Sequence, residues 1–330
     1  MALTPSFLRR TPINPGALLT VGTAAMVELA KACNVIRIGE RQLERKLQRH
    51  KLQPERARLG EATVHYWDGG AGEGAPVVLL HGFGASAIWQ WHGQVGPLAR
   101  TRRVIVPDLL WFGQSRSPRR DFGIDHQIET VLALLDHLGI AKAHFVGISY
   151  GGIVAHELAA AHPHRVDKLA LLDSPGRAYT PEDHRGMLER FAVRSASDLL
   201  LPRDTDGVGE LLRLGYHRPP MTPRWVKRQV LETMYADFRE EKSLLLSRLL
   251  EELEELEQRP GEVDHETLLI WGREDRVFPL EIGERLRGQL RNARLRVIDK
   301  AGHAPNIEHA SLVSRWLLQF LGTAEVARAS

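Results

Sequence analysis

The chain has 330 residues, 43% hydrophobic and 26% charged, the composition of a soluble globular protein with a sizeable core. A single cysteine, Cys33, excludes an intramolecular disulfide framework and is compatible with a reducing compartment, and no His/Cys cluster has zinc-ligand spacing. The net charge of +3 is uneven: residues 1–60 hold eleven Lys and Arg against four Asp and Glu, so the remainder is net negative. No basic stripe with interleaved aromatics appears, which argues against nucleic acid as a partner.

The first element in chain order is an apolar stretch from Ala17 to Ile38, preceded by Arg9 and Arg10. Glu28, Lys31 and Arg37 interrupt it, so it reads as an amphipathic helix that is neither a cleaved signal nor a membrane span. A basic run from Arg37 to Lys51 follows it closely. An apolar helix beside such a run suits attachment to an anionic membrane surface, and packing against the body or dimerisation is the competing reading.

From Gly60 the pattern alternates. Ala62 to Trp67 predicts a strand, and Pro76 to His81 a buried one running into the loop Gly82-Phe83-Gly84. Trp89 to Arg100 reads as a helix, Val104 to Val106 as a strand leading to Asp108, and Ile124 to Leu138 as a helix. His144 to Ile148 is a strand, Gly151 to Ala161 a helix, and Val166 to Leu172, Thr267 to Trp271 and Leu295 to Ile298 are further strands. Short apolar strands alternating with helices predict a mostly parallel sheet covered on both faces. Between Pro175 and Glu262 the alternation stops, and a Leu-, Arg- and Glu-rich segment broken by prolines reads as a helical insertion. The expected division is a basic helical segment over 1–59, a core over 60–174 and 263–322, a helical cap over 175–262, and a tail over 323–330.

In open α/β sheets, chemistry gathers beyond the C-terminal ends of the strands. Gly147-Ile148-Ser149-Tyr150-Gly151 falls at such an end, where small flanking residues permit a sharp elbow that presents a serine hydroxyl. That hydroxyl needs a base. His303 follows the last strand in Ala301-Gly302-His303-Ala304-Pro305, whereas His126, His137 and His156 read as helix-surface residues. The base needs a carboxylate to orient it, and Asp275 in Trp271-Gly-Arg-Glu-Asp275 is the first choice, with Asp173 the alternative. Glu274 is expected to face solvent. Two backbone N–H groups, of Phe83 and Tyr150, are placed to receive an oxyanion, the second at a helix N-terminus. His81 reads as a structural loop residue.

The motifs LLHGFGAS, PDLLWFGQS, GISYGG, WGREDRVFP and AGHAPNIEHA, in this order across residues 60–322, resemble those of the α/β-hydrolase fold serine hydrolases. The resemblance implies the α/β-hydrolase fold, with a mostly parallel central sheet, helices on both faces and a helical cap inserted after the sixth strand. It also implies the triad Ser149, Asp275 and His303, with neither a metal nor a cofactor. Serine at the elbow argues against the related dehalogenases and epoxide hydrolases, which use aspartate. Leu110-Trp111 stands where the family often has Pro-Gly, and Trp111 is expected to shape the pocket mouth. The insertion from Leu199 to Trp225 is similar to the lid of monoacylglycerol-lipase-like enzymes.

These features lead to an esterase or lipase acting through an acyl-enzyme on a small lipophilic ester, monoacylglycerols included. Hydrolysis of a carbon–carbon bond in a diketone is the alternative, and a ligand receptor with an idle triad is a third reading. The expected location is cytoplasmic, peripheral at a membrane surface.

Overall fold

The computed structural model describes residues 33–322 apart from 73 and 85. The stretch before residue 33 and the tail over 323–330 lie outside the described residues.

Eight strands form one sheet: β1 (Leu52–Leu59), β2 (Ala62–Gly69), β3 (Gly74–Leu80), β4 (Arg102–Pro107), β5 (Ala143–Ile148), β6 (Val166–Leu172), β7 (Thr267–Gly272) and β8 (Ala293–Ile298). Their spatial order is β1-β2-β4-β3-β5-β6-β7-β8. β1 and β2 run antiparallel to their neighbours, while β4, β3 and β5 to β8 are mutually parallel. The pleat divides the sheet's apolar residues between two cores. Val77 and Leu79 face one, with Trp91 and Leu317, and Val78 and Leu80 face the other, with Phe145 and Trp271. Residues buried on both faces make Val77 to Leu80 of β3 and Phe145 to Ile148 of β5 read as apolar runs.

The sheet begins earlier than the sequence alternation suggested. Leu52–Leu59 was expected in the N-terminal helical segment, yet it pairs with β2 along its length. It is an edge strand whose outward residues Gln53, Glu55, Arg56 and Arg58 are exposed. Charges and Pro54 mask its period, and both are tolerated, even useful, on an edge that must not recruit another strand.

Ahead of β1 lies α1 (Val35–Arg49), capped by Asn34, whose side chain accepts the Arg37 N–H. Its apolar side packs down through the fully buried Leu47, while Arg37, Arg41, Arg45 and Arg49 are exposed. The expected single helix after β3 is two short ones, α2 (Ala87–Trp91) and α3 (Val95–Ala99). α4 (Ile124–His137) and α5 (Tyr150–Ala161) flank β5 in sequence. Between β6 and β7 come α6 (Pro181–Phe191), α7 (Ala196–Leu200), α8 (Thr205–Gly215), α9 (Arg224–Val230), a π-helical turn at Leu231–Tyr235, and α10 (Arg239–Glu255). The leucine stripe of α10, Leu245, Leu246, Leu249 and Leu253, is buried. α11 (Leu280–Gln289), α12 (Pro305–Glu308) and α13 (Ala310–Leu321) complete the chain. Among the described residues no helix is long and apolar enough to cross a membrane.

Candidate active site

Ser149 links β5 to α5 with φ 51° and ψ −122°, a left-handed conformation that an L-residue adopts only under constraint. Its N–H donates to the Leu172 carbonyl at 3.0 Å and its own carbonyl accepts the Ser174 hydroxyl at 2.8 Å. The flanking glycines answer to close approach. A Cβ on Gly147 would stand 2.4 Å from the Gly151 carbonyl oxygen, and one on Gly151 would stand 2.4 Å from the carbonyl oxygens of Leu80 and His81. The elbow therefore closes only without side chains at both positions.

His303, in the loop between β8 and α12, sets its Nδ1 2.8 Å from Asp275 Oδ2. Ser149 and His303 line the same cavity. Asp275 is completely buried at its side chain, and its Oδ1 accepts the N–H groups of Val277 (2.7 Å) and Phe278 (3.1 Å). A carboxylate holding three donors is fixed in place. Asp173, the alternative acid, lies behind this pair rather than in its place. It too is wholly buried and has φ 41°; its Oδ1 accepts the Gly272 N–H at 2.8 Å. Burial and the neighbouring Asp275 hold its carboxyl well above the ordinary carboxylate range. One atom each of Asp173, Asp275 and His303 lies within 4.8 Å of the others, a spacing a metal could bridge, but His303 Nδ1 is already engaged by Asp275.

Phe83 and Tyr150 border the same cavity, Tyr150 at the first position of α5. The Phe83 loop sits against the serine: a Cβ on Gly82 would lie 3.3 Å from Ser149 Cβ. His81 braces that loop, its Nδ1 donating to the Gly82 carbonyl (2.8 Å) while Nε2 accepts the Leu109 N–H (2.9 Å).

The cavity has a volume of about 440 Å³ and is walled by the cap, with Leu211, Val226, Leu250 and Phe278 among its apolar residues. No Lys, Arg, Asp or Glu lines it among the described residues. Ile36 of α1 also reaches it, a contact that sequence reading missed. α1 is tied to the cap there: the Val35 N–H donates to Gln229 Oε1 (2.9 Å), and Gln229 Nε2 donates to the Cys33 carbonyl (3.0 Å). These partners are almost two hundred residues apart, so no local pattern announces them.

Three expectations need correcting. Trp111 does not reach the pocket mouth; it is buried with φ 66° against Phe122, ring centroids 4.6 Å apart. Glu274 is half-buried, accepting the Ala301 N–H at 3.0 Å. His126 and His156 are buried rather than superficial, His156 bonding Glu157 at 3.0 Å, because the loop at Ser117 lies against His126 (3.2 Å) and the loop at Gly176 lies against the His156 ring.

Residues 75–310 match the alpha/beta hydrolase fold family model, and the chain belongs to that family. It is a hydrolase of this fold. Among curated proteins it is 32% identical over 281 residues to a 2-hydroxymuconate semialdehyde hydrolase of a Pseudomonas species, covering 79% of this chain and 91% of that one. It is 29% identical to a 2-hydroxy-6-oxo-2,4-heptadienoate hydrolase of Pseudomonas putida, covering 77% and 91%. Among solved structures, a bacterial membrane phospholipase A described as a virulence factor superposes with a TM-score of 0.70 at 26% identity, over 96% of this chain and 98% of that one.

Proposed function

We propose that this protein is a serine hydrolase cleaving uncharged lipophilic esters such as monoacylglycerols. Ser149 attacks the ester carbonyl, His303 takes the hydroxyl proton, and Asp275 holds the imidazole in the needed tautomer. The N–H groups of Phe83 and Tyr150 receive the oxyanion. His303 then protonates the leaving alcohol and activates the water that frees the acid.

The observation that carries this reading is the cavity lining, largely apolar and without a Lys or Arg among the described residues. A carboxylate moved out of water costs several kcal/mol unless paired, so an anionic substrate fits such a space poorly. The likeness to a phospholipase A over nearly the whole of both chains supports it. The names of the curated relatives favour the second reading, carbon–carbon bond hydrolysis, over the ester reading. Such names as heptadienoate denote carboxylates, which is the point on which the two readings divide.

The decisive experiment is a panel on purified protein: neutral esters of increasing acyl length, a monoacylglycerol and a 2-hydroxy-6-oxo-dienoate. Esters of medium or long chain should give the highest kcat/KM, and Ser149→Ala should abolish turnover. A dienoate outrunning every ester would replace the ester reading with the carbon–carbon one. Absence of an acyl-enzyme burst with activated esters would favour the receptor reading.

We also propose peripheral attachment to an anionic membrane surface. Arg37, Arg41 and Arg45 are exposed at one-turn spacing beside Ile38, 43% exposed. Met221 is wholly exposed between Pro220 and Thr222, which line the cavity.

A further inference from the structure

Behind the His303–Asp275 pair stands a second carboxyl that the mechanism above does not use. We propose that Asp173 is a positioning residue that keeps a proton on Oδ2 and donates it to Asp275, so that the two carboxyls share one negative charge. The proposal rests on reading His303 and Asp275 as base and orienting acid.

The donor inventory of the two carboxyls is unequal. Asp275 accepts from Val277 N, Phe278 N and His303 Nδ1. Asp173 accepts from Gly272 N alone, and its Oδ2 is buried with no N–H or hydroxyl donor among the described residues. Two bare carboxylates at this range repel, and one must hold a proton. The proton belongs on the acid with fewer donors, where it also satisfies the orphaned oxygen. The charged and titratable groups that act on Asp173 among the described residues are Asp275, His303 and Glu308; none of these is a fixed cation that would favour its ionised form.

The arrangement matters for the base. When His303 takes the Ser149 proton, one positive charge meets one negative charge. A doubly negative pair would instead hold the imidazole protonated and remove it as a base near neutrality. Asp173 keeps its proton throughout, so no step changes its charge.

Asp173→Asn supplies a neutral carbonyl for the Gly272 N–H and an amide donor for Asp275. It should keep kcat/KM within roughly threefold, with the acid limb of the pH profile in place. Asp173→Leu, similar in size but without a donor, should lower kcat by about tenfold or more with little change in KM, and the Asn variant thus acts as the rescue. Infrared difference spectra of wild type minus Asp173→Asn near neutrality should show a protonated carboxyl C=O band, which requires no turnover. A missing band overturns the proposal, as does a downward shift of the acid limb by about one unit in Asp173→Asn, since that marks a lost negative charge. Full kcat in Asp173→Leu overturns it too; if that variant does not fold, the band and the Asn profile decide. Should the band appear while Ser149→Ala stays active, the catalytic reading fails and the proton assignment stands.

Discussion

Trp111 occupies a left-handed conformation that favours glycine, and two costs compete there. Relieving a positive φ returns about 1–2 kcal/mol, but deleting a buried tryptophan costs about 3–5 kcal/mol. Trp111→Gly should therefore lower stability by roughly 1–4 kcal/mol in urea unfolding, and a stabilised variant would mean the ring contributes little to packing. At the elbow the balance has only one side. Gly147→Ala and Gly151→Ala each set a methyl 2.4 Å from backbone oxygens, so the chain must shift. Both variants should lose labelling of Ser149 by a fluorophosphonate even where circular dichroism shows a folded protein. Ser149, Asp275 and His303 could be singled out in the chain because each follows a short apolar strand and sits among punctuating glycines or prolines. Asp173 carries the same signal, and sequence alone offers no means of seeing that it backs Asp275 instead of competing with it.

At the scale of elements, the inner parallel strands were readable because burial on both faces leaves near-continuous apolar runs. β1 was not, since an edge strand answers to solubility as much as to the core. The role of α1 was equally hidden: the amphipathic helix was expected from Ala17 to Ile38, whereas α1 starts at Val35 and spans most of the basic run, and its seat against the cap depends on hydrogen bonds to Gln229 and Thr233. Because Ile36 lines the cavity, α1 is a wall of the proposed binding space. Ile36→Trp should shorten the preferred acyl chain while leaving the rate of a short activated ester almost unchanged. A chain-length profile identical to wild type would remove α1 from specificity. Truncation at residue 60 is a poor probe of this segment, because it strips β1 and bares the edge of β2.

For the molecule as a whole, acid sensitivity has a definable contributor in His144 on β5. Burial and the nearby Arg102 lower its pKa to about 4 from 6.5. The unfolded chain therefore binds more protons between these values, and stability falls as pH drops through that window, by up to about 1.4 kcal/mol per pH unit from this residue. His144→Leu should flatten the unfolding free energy between pH 6.5 and 4, and an unchanged slope would assign the acid sensitivity elsewhere. The proposed surface attachment makes a separate demand: flotation with anionic vesicles at low salt should recover the protein. Arg37→Glu with Arg41→Glu and Arg45→Glu should release it, and indifference to salt and to these reversals would end that reading. The uncharged cavity lining also bears on how a catalytic cycle finishes. On the proposed ester reading, the substrate enters neutral, but one of its two halves departs as a fatty acid that ionises. With no lysine or arginine among the described lining residues to retain it, that carboxylate would be driven toward water, so the chemistry itself would clear the chamber. Free fatty acid should then inhibit weakly at neutral pH and more strongly as acidification makes it neutral, which ties the tempo of turnover to the charge its own product acquires.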